Sequence, residues 1–214
     1  KINYFIKSSA FKTVLAITMS ILFSGCAGAM PNTSWPNASL HQNKLLVSNN
    51  QAMYAVSTET GQLLWQFPNS SDKIRSKFYD APSFNEQYIH VASDNKYTFA
   101  LDINNGNEIW KFDATNNKSA TAPSYVTSTP NIIFFTSDKT LYALENETGN
   151  LMWTFESDED LWSAPVSTKS NVYVSGMNHT ITSLNIINGS ENWQIKLDSS
   201  VADQPTIEGE TLFT

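Results

Sequence analysis

Three observations predict an all-β chain built from repeated four-stranded antiparallel units. A small residue, a Gly six positions later and a Trp four positions beyond that recur four times: Ala55, Gly61 and Trp65; Ala100, Gly106 and Trp110; Ala143, Gly149 and Trp153; Ser183, Gly189 and Trp193. The Trp-to-Trp periods are 45, 43 and 40 residues, a length that suits one four-stranded propeller blade or one pair of helices. The interior of each repeat decides between them. Runs rich in Val, Ile, Tyr, Phe and Thr, such as Tyr88 to Ala92, Ile132 to Thr136 and Asn171 to Ser175, alternate in polarity and are separated by turn formers. Beyond the N-terminal segment no sustained apolar stripe at i, i+3, i+4, i+7 occurs, and Asn and Ser are dense.

The unit around residues 122–163 justifies each element in turn. Ala122 and Pro123 open it, because a Pro at the start of a strand removes no hydrogen bond from the strand centre. An inner strand follows at Tyr125 to Thr127 and a second at Ile132 to Ser137, and Asp138 and Lys139 turn the chain. A third strand, Thr140 to Leu144, leads into Glu145, Asn146, Glu147, Thr148 and Gly149, a hairpin turn that needs Gly in a left-handed conformation. The fourth strand, Asn150 to Glu156, carries Trp153. Pro36, Pro82, Pro165 and Pro205 open the other units in the same way. The expected blades are residues 34–80, 81–121, 122–163, 164–203 and the beginning of a fifth at 204–214.

The run AxDxxTGxxxW resembles the blade-docking motif of quinoprotein-type, or PQQ-like, β-propeller repeats. Ala55 to Trp65 fits it with Ser57 in the Asp position; Ala100 to Trp110 keeps Asp102 but has Asn105 for Thr. Ala143 to Trp153 has Glu145 for Asp, and Ser183 to Trp193 keeps Gly189 and Trp193. The resemblance implies a ring of blades in which each outer-strand Trp packs against the neighbouring blade. An indole suits that task, burying a large apolar area while keeping one N–H for a backbone carbonyl. The other reading makes the four Trp residues an aromatic ligand cage. Trp35 and Trp162 stand outside the series, each just before a blade-opening Pro. They are candidate ligand contacts at a channel mouth, with core or inter-blade packing as the alternative.

Propellers close with about four to eight blades, and those of the resembled family have seven or eight. Thr211 to Thr214 reads as a strand cut in its middle, and the chain opens on Lys1. A piece of a longer propeller is therefore expected, about four blades of the ring.

The N-terminus predicts export. Lys1, Lys7 and Lys12 form a basic stretch without acids, followed by an apolar run from Val14 to Phe23 and then Ser24, Gly25 and Cys26. That run is too short to span a bilayer and matches the apolar region of a signal peptide over residues 1–25. Small residues before the only Cys resemble a bacterial lipobox, with Phe23 where Leu is usual. The resemblance implies lipid attachment at Cys26, a tether over 26–33 and anchoring to the cell envelope, on its periplasmic or extracellular face. A general secretory signal with an incidental Cys26 is the alternative. Beyond the signal segment, 10 basic residues face 20 acidic ones, a balance that disfavours nucleic acid as a partner.

Catalytic and metal signatures are sparse. His41, His90 and His179 lie far apart without zinc-site spacing and read as loop or surface histidines. Glu156, Asp158, Glu159 and Asp160 form an acidic loop without the alternating ligands and Gly of a calcium loop. No cofactor and no metal site is assigned. The family's dehydrogenases bind pyrroloquinoline quinone and calcium over the propeller axis, many with a vicinal disulfide that a single Cys forbids. The expected function is a non-catalytic, membrane-anchored interaction scaffold for proteins or peptides. The order of parts is similar to BamB-type lipoproteins of outer-membrane protein assembly. A quinone-dependent dehydrogenase and a small-ligand sensor using the central channel are the alternatives.

Overall fold

The computed structural model describes residues 37–49, 51–69, 76–114, 125–199, 201, 204–209 and 211–213. The expected signal segment, Cys26, the tether, Trp35, Pro36 and Pro123 lie outside them. Eighteen strands occur among the described residues. β1 (Asn37–His41), β2 (Lys44–Asn49), β3 (Ala52–Ser57) and β4 (Leu63–Phe67) form the first sheet in chain order. β5 (Ser83–Phe84), β6 (Tyr88–Ala92), β7 (Tyr97–Asp102) and β8 (Glu108–Asp113) form the second. β9 (Tyr125–Ser128), β10 (Ile132–Ser137), β11 (Thr140–Glu145) and β12 (Leu151–Glu156) make the third. β13 (Val166–Ser167), β14 (Asn171–Gly176), β15 (Thr180–Asn185) and β16 (Glu191–Lys196) make the fourth. β17 (Thr206–Glu208) and β18 (Thr211–Phe213) pair as a fifth, two-stranded sheet. Every pairing is antiparallel.

The chain is thus all-β, a partial ring of propeller blades. Meandering connectivity follows from the turns, since each strand reaches its neighbour through a few residues and no crossover is needed. The second and third sheets bury their middle strands on both faces. One apolar cluster joins the first and second sheets through Leu46, Met53, Phe67, Phe78, Ile89 and Phe99. A second joins the second and third sheets through Trp110, Val126, Ile133, Phe135 and Leu144. A third joins the third and fourth sheets through Phe134, Leu141, Leu161, Val172, Val174 and Leu184. All six residues of β10, Ile132 to Ser137, are buried, Phe134 facing one neighbouring sheet and Phe135 the other.

This double coverage corrects one sequence reading. His90 is not a surface residue but is fully buried within β6. Polarity normally marks the solvent face of a strand, and β6 has no solvent face. His41 lies partly exposed in β1, its ring edge-on to Phe84 with centroids 4.7 Å apart, and His179 sits in a turn at φ 69°.

Each hairpin between third and fourth strands is closed by one device. Gly61, Gly106, Gly149 and Gly189 have φ of 69° to 72°, the left-handed region that glycine enters without a Cβ penalty. In each, the Gly N–H donates to the carbonyl of the residue four earlier, at 2.8 to 2.9 Å. The residue in the motif's Asp position then caps the turn with its side chain: Ser57 Oγ accepts from the Thr60 N–H, Asp102 Oδ1 from the Asn104 N–H, and Asn185 Oδ1 from the Ile187 N–H. Glu145 does it differently, accepting from the Thr148 hydroxyl. Ser, Asp and Asn are interchangeable here because each carries an acceptor oxygen on a side chain short enough to reach a backbone N–H two or three residues on.

Candidate functional site

Two features organise the molecule: the joints between blades and a cavity beside the innermost strands. The joints begin with a register shift. Ala55, Ala100, Ala143 and Ser183 lie directly across from Trp65, Trp110, Trp153 and Trp193, and the ladder slips by one residue next to each pair. A bulge re-aims its strand, and a small residue opposite leaves room for the indole.

Trp65 lies against Gly106 of the next sheet, Trp110 against Gly149 and Trp153 against Gly189. A Cβ built on Gly149 would stand 2.6 Å from two atoms of the Trp110 ring, and one on Gly189 would stand 2.5 Å from the Trp153 ring. Both are closer than real contacts allow, so the glycine serves the indole as well as the turn. Each indole N–H donates across the joint: Trp65 Nε1 to Ile103 O at 3.3 Å, Trp110 Nε1 to Asn146 O at 2.9 Å, and Trp153 Nε1 to Ile186 O at 3.2 Å. Trp65 and Trp110 are 7 % and 8 % exposed, whereas Trp193 is 40 % exposed.

The second joint carries further polar contacts. His90 Nδ1 shares a 2.7 Å hydrogen bond with Ser128 Oγ of β9, and its ring lies 5.7 Å from that of Trp110. Burial pushes the imidazole down from 6.5 to about 3, with the Asn146 side chain acting weakly in the opposite direction, so it is neutral at ordinary pH. At the other end of the same joint, Lys96 Nζ meets Asp138 Oδ2 at 2.8 Å, with both side chains less than a tenth exposed.

The cavity lies where inner strands of successive sheets converge. It has a volume of about 260 Å³ and is lined by Ser39 of β1, Asp80, Ser83 of β5, Thr127 of β9, Ala164 and Gln204, among others. Hydrogen bonds around it tie each blade to the next. Ser39 Oγ donates to Pro82 O, Ser48 Oγ to Asp80 O, the Ser128 N–H to Ser83 Oγ, and Thr127 Oγ1 to Pro165 O. Asp80 is the one charged residue in the lining among the described residues. Its Oδ1 accepts from the Ala81 N–H at 2.8 Å, and the Val126 N–H also supports the carboxylate. Desolvation outweighs both and raises the carboxyl from 3.8 to about 6.

Asp80 was not singled out by sequence reasoning, although a signal for it exists. Aligned on the blade-opening prolines, Tyr79-Asp80-Ala81-Pro82 corresponds to Trp162-Ser163-Ala164-Pro165, and Asp203 holds the same place before Pro205. Trp162 and Tyr79 are therefore equivalent, and both are more than a third exposed. Around Trp162, Leu161 bridges to Gly176 at the end of β14 and Ser163 Oγ donates to Ser175 Oγ. Ala164 reaches the cavity wall and Trp162 does not. Of the acidic loop, Asp158 and Glu159 face Lys139, whose ammonium donates to Asp158 O and lies 3.8 Å from the Glu159 carboxylate.

Comparison with known proteins accords with this architecture. A solved structure of BamB from Moraxella catarrhalis superposes with a TM-score of 0.64 at 16% identity, covering 79% of this chain and 54% of that one. Quinohemoprotein alcohol dehydrogenase from Comamonas testosteroni gives a TM-score of 0.64 at 14% identity, covering 77% of this chain and 35% of that one. At these identities the likeness speaks for the fold alone. Among curated proteins, the outer membrane protein assembly factor BamB of Moranella endobia (strain PCIT) is 25% identical over 150 residues, 65% of this chain and 39% of the relative. The chain thus spans well under two thirds of the length of these proteins. The sequence profile described as outer membrane protein assembly factor BamB matches residues 25–153 and 137–214. With that match covering most of its length, this chain belongs to the BamB family of PQQ-like propellers.

Proposed function

We propose that the chain works as an interaction scaffold of the bacterial cell envelope, exported, lipid-anchored through Cys26, and engaged with protein or peptide partners of outer-membrane protein assembly. The observation that carries this reading is the family match over residues 25–153 and 137–214. Physical support comes from the joints. Blades locked by indole, glycine and carbonyl form a stiff frame, and stiff frames present loops in fixed positions to a partner. Between the third and fourth sheets the loops leave an open groove of about 610 Å³ that includes Pro130, Ile132, Lys169 and the exposed Ile187. In this reading Trp65, Trp110, Trp153 and Trp193, with their glycines, are structural, the protein is not an enzyme, and nucleic acid is not a partner. Trp162, with Trp35, is proposed as a contact at the channel mouth.

A quinone-dependent dehydrogenase is the second reading, favoured by the structural likeness to a quinohemoprotein alcohol dehydrogenase. The donor set beside the innermost strands does not fit its calcium. That ion takes six to eight oxygen ligands, usually several carboxylates, and among the described residues Asp80 is the one acid in the cavity wall, already accepting from backbone N–H groups.

The test is co-purification from detergent-solubilised membranes together with fractionation of a Cys26→Ser variant. Recovery of a β-barrel assembly component, and release of the variant into the soluble envelope fraction, are the expected results. Membrane retention of the variant would refute lipid anchoring, and dye-linked alcohol oxidation on adding quinone and calcium would refute the scaffold.

A further inference from the structure

We propose that the cavity beside the innermost strands binds a protonated primary amine, with the Asp80 carboxylate as its counter-ion. The cavity's shape and chemistry carry the inference. Among the described residues its wall holds a single charge, which is negative, and no described Lys or Arg lines it to neutralise that charge from within. At about 260 Å³ it is roomy enough for an alkylammonium chain and too small for a folded partner. Phe84 and Val126 supply apolar wall for the methylenes, and Ser39, Ser83 and Thr127 add hydroxyls to the lining.

Several neighbouring acceptors are already engaged. Pro82 O and Pro165 O take the Ser39 and Thr127 hydroxyls, and Ser83 Oγ takes a backbone N–H. A carboxylate offers about four lone-pair directions, and two backbone donors leave the rest of Asp80 facing the cavity. Keeping that charge ionised away from bulk water is unfavourable, as its raised titration shows. An ammonium within contact distance reverses this, because an opposite charge favours the ionised form where desolvation disfavoured it. A divalent cation does not fit, since no group of three or more His, Cys, Asp or Glu that could hold one occurs among the described residues.

A free polyamine and a lysine side chain of an extended peptide present the same head group, and the experiment separates them. Calorimetric titrations at low salt would use spermidine, a Gly-Lys-Gly peptide blocked at both ends, and the same peptide with its lysine acetylated. Wild-type binding of spermidine alone assigns the site to free amines; binding of the lysine peptide assigns it to a peptide side chain. In either case Asp80→Asn should weaken binding at least about tenfold, the equivalent of about 1.4 kcal/mol, and where the lysine peptide binds its acetylation should do the same. Undiminished binding after acetylation of a lysine peptide that binds, unchanged binding by Asp80→Asn, or no binding of any amine by the wild type would each overturn the proposal. The acetylated peptide tests it without any variant, and a thermal melt of Asp80→Asn checks that the variant is folded.

Discussion

Gly149→Ala, measured against Gly61→Ala, isolates the strength of a blade joint. Both glycines hold nearly the same backbone, φ 70° and 69°, so both substitutions place a side chain in the left-handed region at about 1–2 kcal/mol. Their surroundings differ. Around Gly61 a new Cβ meets nothing within 4 Å, whereas at Gly149 it lands 2.6 Å from Trp110 Cδ2 and Cε3. Those are ring atoms of a buried indole whose N–H is tied to Asn146 O at 2.9 Å, so the clash cannot be relieved by a flexible side-chain end. Overpacking of this kind costs about 1–3 kcal/mol. Gly149→Ala should therefore lose about 2–5 kcal/mol and Gly61→Ala about 1–2 kcal/mol. Urea unfolding followed by tryptophan fluorescence measures both, with the difference read from midpoints at constant slope. In a thermal melt the extra loss corresponds to roughly 2–12 °C for a chain of this size. Equal losses in the two variants would refute the claim that glycine is required by the neighbouring Trp as well as by the turn.

Truncating the indoles should follow the same logic. Trp110→Ala is expected to cost about 3–5 kcal/mol in urea unfolding, and Trp193→Ala, starting from a ring 40 % exposed, less than about half of that. Lys96→Ala should cost about 3–5 kcal/mol by stranding the buried Asp138 carboxylate, while the double variant Lys96→Ala, Asp138→Asn, which removes the charge and keeps a residue tolerant of the φ of 53° at that position, should recover part of it; a double variant no better than the single one would refute the pairing. For His90 the folded imidazole titrates near 3 and the unfolded one near 6.5, so below pH 6.5 the unfolded state takes up the proton first. The advantage of wild type over His90→Gln should then shrink by about 1.4 kcal/mol per pH unit down to pH 3. Asp80 runs the other way: its folded carboxyl titrates near 6 against 3.8 unfolded, so it destabilises above pH 6 and that penalty fades as pH falls to 3.8. Asp80→Asn should accordingly be the more stable protein at pH 7, by at most about 3 kcal/mol. The two effects oppose each other between pH 3.8 and 6, so differences against the single variants, not the wild-type curve alone, reveal them.

Much of the fold was legible because a propeller repeats one local rule. The spacing of Ala143, Gly149 and Trp153 encodes a hairpin, its left-handed glycine and a large apolar side chain on the last strand, all within eleven residues. Strand edges shifted only slightly: β12 begins at Leu151 and not Asn150, because Asn150 O still closes the turn by accepting from the Glu145 N–H. The burial of His90 and the desolvation of Asp80 were not legible. The first residue is polar in a strand covered on both faces and the second is acidic in an irregular connection, and neither burial nor desolvation leaves a trace in local pattern.

The sequence by itself determined the blade: its strand order, its turns and the identity of its indoles, since these depend on residues close together along the chain. Only the tertiary structure decided the partners. That Trp65 meets Gly106, that His90 meets Ser128, and that Asp80 enters the wall of a cavity are contacts between residues about 40 positions apart or drawn from several blades. Such distances close only when sheets stack side by side, and the energy that closes them is burial between blades, which no single repeat can achieve alone.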